Sequence, residues 1–167
     1  MEMLKQYIVE IPDFPRPGIL FRDINPLLRR DFAGTLSAIE GLLSEAEWAD
    51  IDVVAGVESR GFILAAGLAE RRRKGFAPVR KQGKLPPPVV HEPYRLEYGT
   101  GVLEMQAGQG NLLLIDDVLA TGGTLQAAAS LSQRSGFRVC SIVVLLDLKL
   151  IEQFVWRDIS ARSAIQY

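Results

Sequence analysis

Four apolar residues in a row, Leu112-Leu113-Leu114-Ile115, end at a pair of carboxylates, Asp116-Asp117, and the chain then runs through Val118-Leu119-Ala120 into Thr121-Gly122-Gly123-Thr124. An apolar run without polar alternation describes a strand covered on both faces, the situation of a parallel sheet with helices above and below it. Such a strand delivers Asp116 and Asp117 to the carboxyl edge of the sheet. The residues beyond the loop, Leu125-Gln126-Ala127-Ala128-Ala129-Ser130-Leu131, are rich in helix formers. Strand, glycine loop and helix start therefore follow one another.

Backbone N–H groups at a helix start, with glycines that allow close approach, make a site for a phosphate dianion. Thr121 and Thr124 add hydroxyl donors. Two carboxylates beside that cradle would repel a bare anion, but the vicinal hydroxyls of a pentose can each donate to a carboxylate while the sugar's 5′-phosphate lies in the loop. Other phosphate signatures fail: the sequence holds no G-x-x-x-x-G-K-[ST] and no G-x-G-x-x-G after a strand.

With these residues in place, the stretch resembles the phosphoribosyl-diphosphate-binding signature of the type I phosphoribosyltransferases. The resemblance implies that Asp116 and Asp117 hold the ribose hydroxyls and that Ala120, Thr121, Gly122, Gly123 and Thr124 hold the phosphate.

Upstream, Leu4, Tyr7, Ile8 and Ile11 fall at helical spacing, which predicts a short amphipathic helix ended by Pro12. The segment 12–23 is too rich in proline for regular structure yet carries Phe14, Ile19, Leu20 and Phe21. Such a segment covers a core or lines a pocket, and its residues alone do not choose. It resembles the hood of adenine phosphoribosyltransferases, which implies that Leu20 offers backbone groups to the base, with Phe21 packed on the ring and Arg22 nearby. Asn25-Pro26 and Asp31 bracket a predicted turn, and Phe32, Leu36, Ile39, Leu42 and Leu43 then recur at helical spacing. A strand is predicted over 50–57. At its carboxyl end stands Glu58-Ser59-Arg60-Gly61, where Ser59 can cap a helix over 61–70. Arg60 can fork onto a phosphate from there or form a surface ion pair; the resemblance implies the diphosphate end of the sugar donor.

The run Arg71-Arg72-Arg73-Lys74 complements the negative end of a helix dipole, with Gly75 as its stop, and no interleaved aromatics offer stacking platforms for bases. After a short strand over 76–79 comes Arg80-Lys81-Gln82-Gly83-Lys84-Leu85-Pro86-Pro87-Pro88, a solvated charged loop or an anion-binding arm. It resembles the family's R-K-x-G-K-L-P element, which implies that Lys81 and Lys84 reach the diphosphate across a dimer interface. Residues 89–106 alternate around Gly99-Thr100-Gly101 and predict a hairpin, read as a mobile flap. On its residues alone Glu97 is a surface carboxylate. The match of Tyr94-Arg95-Leu96-Glu97-Tyr98-Gly99 to the adenine family's Y-x-L-E-Y-G implies instead that Glu97 handles a purine proton and that Tyr98 joins the site. His91, the one histidine, is expected in solvent, and no His or Cys cluster offers a metal cage. The connection 107–111 is shorter than the family usually shows, which bears on the flap.

At 167 residues, 48% hydrophobic and 23% charged, the chain suits one globular domain, and its net charge of -1 gives no general pull towards nucleic acid or acidic membranes. The lone cysteine, Cys140, is expected to be a buried inert thiol. No run reaches the roughly 18 apolar residues of a spanning helix, and the N-terminus lacks a signal-peptide stretch, so the expected location is cytoplasmic. The predicted fold is α/β: a mostly parallel twisted sheet flanked by helices, with a hood (about 1–30) and a β-hairpin flap (about 81–106) on one domain spanning 1–167. The resemblance implies a homodimeric purine-salvage enzyme that joins adenine to 5-phosphoribosyl 1-diphosphate, giving AMP and diphosphate, with Mg²⁺ carried mainly by the diphosphate and water rather than by protein ligands. Two rivals stand beside it: an enzyme for 6-oxopurines (hypoxanthine, guanine, xanthine), and a non-catalytic ligand-sensing regulator of the same fold.

Overall fold

A computed structural model describes residues 2–96 and 99–167. In chain order its elements are α1 (Glu2–Lys5), β1 (Val9–Ile11), β2 (Phe21–Asp23), α2 (Asn25–Glu40), α3 (Glu45–Asp50), β3 (Val53–Val57), α4 (Arg60–Arg72) and β4 (Gly75–Lys81). There follow β5 (Val89–Leu96), β6 (Gly99–Gln106), β7 (Asn111–Leu119), α5 (Gly123–Arg134), β8 (Arg138–Asp147), β9 (Val155–Trp156), β10 (Ile159–Ser160) and β11 (Arg162–Gln166). The main sheet has the order β11-β8-β7-β3-β4-β6-β5. Pairings from β11 across to β4 are parallel, and β6 and β5 complete the edge antiparallel.

The apolar run of β7 explains this arrangement. Leu113 and Ile115 join the core packed under α2, α3 and α4 with Leu36, Ile39, Trp48, Leu64 and Leu68, whereas Leu112 and Leu114 join the opposite core with Leu125, Ala128 and Leu131 of α5. Alternate residues of one strand thus serve two cores, which is why no polar residue interrupts the run. Truncating any of these fully buried leucines to alanine is a change of about 2–5 kcal/mol.

Several local expectations differ from the structure. The predicted first helix ends at Lys5, and Val9–Ile11 pair antiparallel with Phe21–Asp23, so the hood is tied down by a small ribbon. Its β-branched residues gain a ladder there that helical spacing does not reveal. The predicted turn at 25–31 is a kink: α2 runs from Asn25 with Asp31 non-helical (φ -149, ψ 67), its carboxylate accepting from the Gly34 amide at 2.8 Å. The helix stop assigned to Gly75 falls on Arg73, which takes the left-handed conformation (φ 53), and Gly75 opens β4. Ser59 stands at the N-cap of α4 without a capping side-chain bond. Leu96 pairs with Gly99, so 99–101 lie within β6. The C-terminal tail adds β11 beside β8, and Cys140 is half-buried with its thiol 3.4 Å from the Leu112 carbonyl.

Candidate active site

The site gathers where β3, β4 and β7 end. Register between β3 and β7 runs out at Gly56 and Ile115, so Asp116 and Asp117 stand beyond the last β3 partner. The strand continues past the carboxylates to Leu119, and both aspartates are buried, at 7% and 8% exposure. The Asp117 amide donates to Asp116 Oδ1 at 2.9 Å. Arg60, the first residue of α4, brings Nη2 to 2.6 Å from Asp117 Oδ2, an ion pair without hydrogen-bond alignment, and that oxygen has no other protein donor. Burial, and after it the neighbouring charge of Asp117, pushes the Asp116 carboxyl well above the usual carboxylate range, and the Asp117 amide and Arg60 offset this only in part. Such a pair is relieved by any ligand that brings hydroxyl donors or positive charge.

Immediately beyond lies a cavity of about 60 Å³ lined by Val118, Leu119 and the loop 120–124 with Leu125. Gly122 is left-handed (φ 84), and a Cβ there would meet Phe154 at 2.6 Å, so both backbone and space require glycine. No side chain caps the start of α5. Thr121 is exposed and Thr124 half-buried at the rim. The loop is thus a small backbone-lined hollow at a helix N-terminus, the geometry that binds a phosphate.

On the other side of the pair, the Glu58–Ser59 peptide is cis. Glu58 accepts from the Lys81 amide at 3.0 Å and from Arg80 Nε at 3.2 Å. Burial alone would raise this carboxyl; the Lys81 amide, Arg80 and the charge of Lys84 outweigh it and hold the group below its ordinary value. The arm that begins at Arg80 leaves Lys81 and Lys84 exposed, while Arg80 turns back to Glu58 and to the Lys84 carbonyl at 3.3 Å. Glu104 of β6, 2% exposed, accepts from the amides of Gly83, Lys84 and Leu85 at 2.9, 2.6 and 2.6 Å.

The hood reaches the site through Phe21, which meets Phe14 edge-on at 5.1 Å and lies 5.2 Å from the Arg60 guanidinium. Phe21, Arg60, Asp117 and Asp116 thereby form one connected line. Leu20 is exposed on the hood. Arg22 is directed elsewhere: its guanidinium lies 3.9 Å over the Tyr167 ring, with Nε 3.3 Å from Glu10, and so it fastens the hood to the end of the chain. Tyr94 of the flap is close enough to the pair that, after burial, the charges of Asp116 and Glu58 raise its phenol. Glu97 and Tyr98 lie outside the described residues.

Sequence reasoning missed Glu58, Tyr94 and Glu104. Tyr94 carried a usable signal, because it faces Gly101 across the hairpin and its ring fills the space a side chain there would need. Glu104 carried none, since its hydrogen bonds go to backbone amides, and Glu58 is held by the Lys81 amide and by Arg80 from a separate strand.

Residues 35–159 match the family described as phosphoribosyl transferase domain. The chain is 48% identical over 165 residues to the adenine phosphoribosyltransferase of Bdellovibrio bacteriovorus, covering 98% of this chain and 99% of the relative. Among solved structures, the adenine phosphoribosyltransferase of Rhodothermus marinus superposes with a TM-score of 0.87 at 39% identity, covering 99% of this chain and 97% of that one. The Saccharomyces cerevisiae adenine phosphoribosyltransferase, complexed with D-2,5-dideoxy-2,5-imino-altritol 1,6-bisphosphate and adenine, has a TM-score of 0.82 at 34% identity and 88% coverage of each chain.

Proposed function

The chain belongs to the adenine phosphoribosyltransferases of the phosphoribosyl transferase domain family, and from that premise we propose how its residues divide the work of joining adenine to 5-phosphoribosyl 1-diphosphate. The observation that carries the reading is the buried Asp116–Asp117 pair next to a backbone-lined hollow at the start of α5. The pair holds the ribose 2′- and 3′-hydroxyls, and the loop 120–124 holds the 5′-phosphate with its amides and the hydroxyls of Thr121 and Thr124. As the C1–O bond breaks, the ribose ring gains positive charge and the diphosphate negative charge. Catalysis rests on stabilising both. Asp116 and Asp117 stand near the cationic ring, whose developing positive charge favours the carboxylate form of Asp116. Arg60, Lys81 and Lys84 meet the leaving diphosphate. The base lies against Phe21 and reads the backbone of Leu20; Glu97 takes the proton from the purine ring, with Tyr98 beside it.

Among the described residues no group of three or more His, Cys, Asp or Glu is gathered to hold a metal. The donor set fits Mg²⁺ held by diphosphate oxygens and water, with Asp116 and Asp117 the carboxylates available to its water shell. When bound, the ion neutralises diphosphate charge.

The working unit is a homodimer in which the basic arm enters the neighbouring site. Support comes from the exposure of Lys81 and Lys84 and from Ile63 and Phe76, large apolar residues exposed on α4 and β4. Exchanging subunits between Lys81→Ala/Lys84→Ala and Asp116→Asn/Asp117→Asn proteins restores activity if the arm crosses; proven exchange without recovery contradicts it. A cytoplasmic location, with no nucleic-acid or membrane partner, fits a chain whose Arg71 and Arg72 are engaged by Ser37, Glu40 and Glu45 and in which no helix among the described residues is long and apolar enough to cross a membrane.

Incubation of the protein with the sugar donor, Mg²⁺ and adenine, hypoxanthine or guanine in turn tests the reading. AMP is expected as the dominant product, and Glu97→Leu is expected to depress turnover by about 10²–10⁴-fold, the usual worth of a positioned proton acceptor. Equal use of a 6-oxopurine refutes the base assignment, and no nucleotide from any base points to the non-catalytic regulator.

A further inference from the structure

Glu104 is the least exposed acidic side chain among the described residues, and it is spent on the backbone of an otherwise exposed loop. Strand pairing sets it between Arg80 of β4 and His91 of β5. Its neighbours Leu103 and Met105 point into the core, so the carboxylate points away from that core towards the arm. One oxygen takes the Lys84 and Leu85 amides at 2.6 Å each; the other takes the Gly83 amide at 2.9 Å and lies 3.5 Å from His91 Nε2. Consecutive amides converging on one anion form a nest, which Gly83 permits by its left-handed conformation (φ 84). Burial alone would raise this carboxyl, but the three amides and His91 hold it below its ordinary value, as an anion.

We infer that Glu104 is a positioning residue for diphosphate recognition: an internal anion that folds the basic arm around itself and so fixes where Lys81 and Lys84 present their ammonium groups. This rests on the reading that those lysines meet the diphosphate. A flexible arm with the same lysines would have to be ordered at each binding event, and that ordering would weaken the donor's affinity. Glu104 makes the arrangement beforehand. Its bonds go to main-chain amides, so it acts without touching the substrate. Glu58 holds the Lys81 amide at the root of the same arm, and Gln106 donates to the Pro86 carbonyl at 3.2 Å at its far end, so the arm is fastened along its length.

Glu104→Gln keeps the shape but turns an amide group with its own N–H donors towards the nest. It is expected to raise KM for the sugar donor and the inhibition constant of inorganic diphosphate by at least about tenfold, the size of losing one charge-assisted bond. KM for adenine at saturating donor is expected to stay within about twofold of the parent, because the base contacts lie elsewhere. A residue of merely structural importance would lower the melting temperature and leave that selectivity flat. Lys81→Ala/Lys84→Ala, measured alongside, separates the two levels: if it weakens diphosphate binding and Glu104→Gln does not, the positioning role is wrong; if neither does, the arm reading itself fails and the inference with it. Hydrogen exchange on the parent protein requires no variant to fold. Slow exchange of the Gly83, Lys84 and Leu85 amides is expected, and exchange at the rate of an unprotected loop overturns the inference.

Discussion

The loop 120–124 and the arm 80–88 are the two segments to which we assign anion binding, and they are organised in opposite ways. In the loop the side chains are small and uncharged, Gly122 and Gly123 bring the backbone forward, and the start of α5 carries no side-chain cap. The arm carries cationic side chains outward, and its amides from Gly83 to Leu85 are already held by Glu104. One segment offers its backbone and no charge, the other offers charge and no backbone. Rigid amides at a helix start suit a group that stays bound through the reaction, whereas long ammonium side chains suit a leaving group that must depart. If the proposed assignment holds, the difference teaches that two phosphate sites in one enzyme need not share a chemistry.

The largest expected effect falls on the aspartate pair. Asp116→Asn/Asp117→Asn removes two charge-assisted contacts, each worth about 1.5–3 kcal/mol, so kcat/KM is expected to fall by about 10²–10⁴-fold with the fold retained. Steady-state kinetics and circular dichroism check both halves. Near-normal turnover would leave loop and arm with nothing to share.

Next come the left-handed glycines of the loop and the arm, Gly122 and Gly83, which have the same φ of 84 and different surroundings. Gly122→Ala meets both the backbone strain and Phe154 at 2.6 Å, and is expected to lose about 2–4 kcal/mol of stability; Gly83→Ala meets open space and should lose only about 1 kcal/mol. Chemical denaturation ranks them, and equal losses would mean that Phe154 moves aside.

The smallest effect has the opposite sign. A carboxyl raised in the folded state binds its proton more tightly there than in the unfolded chain. Its contribution is therefore most favourable below the ordinary value of 3.8 and is lost as pH rises from there through the raised value. Asp116→Asn escapes that loss. The variant is expected to melt higher than the parent at neutral pH, by about 2–4 °C for each kcal/mol relieved, with the gap closing on acidification. A variant that melts lower at neutral pH would show that the Asp116 charge is supported by its surroundings.

What could be read from the chain follows from where each signal resides. The strand around Leu112 was legible because burial on both faces requires an unbroken apolar run, and the loop was legible because close anion approach requires glycine. The strand at Val9–Ile11 was hidden, since its partner Phe21–Asp23 lies across a proline-rich segment whose path no local pattern gives. Asp31 read as a turn because the same residue that ends one helical segment caps the next. The resemblance set Arg22 near the base, and nothing near it in sequence reveals Tyr167 beneath its guanidinium. Glu104 stayed invisible for a more general reason: backbone amides are present at every position, so a side chain devoted to them leaves no partner type to search for.

Separate calorimetric titrations with ribose 5-phosphate and with inorganic diphosphate, on the parent and two variants, test the division of labour most directly. Lys81→Ala/Lys84→Ala is expected to weaken diphosphate by about tenfold or more and leave ribose 5-phosphate unchanged, and Gly122→Ala the reverse. If each variant weakens both ligands to the same degree, the loop and the arm do not hold separate phosphates and the account is contradicted.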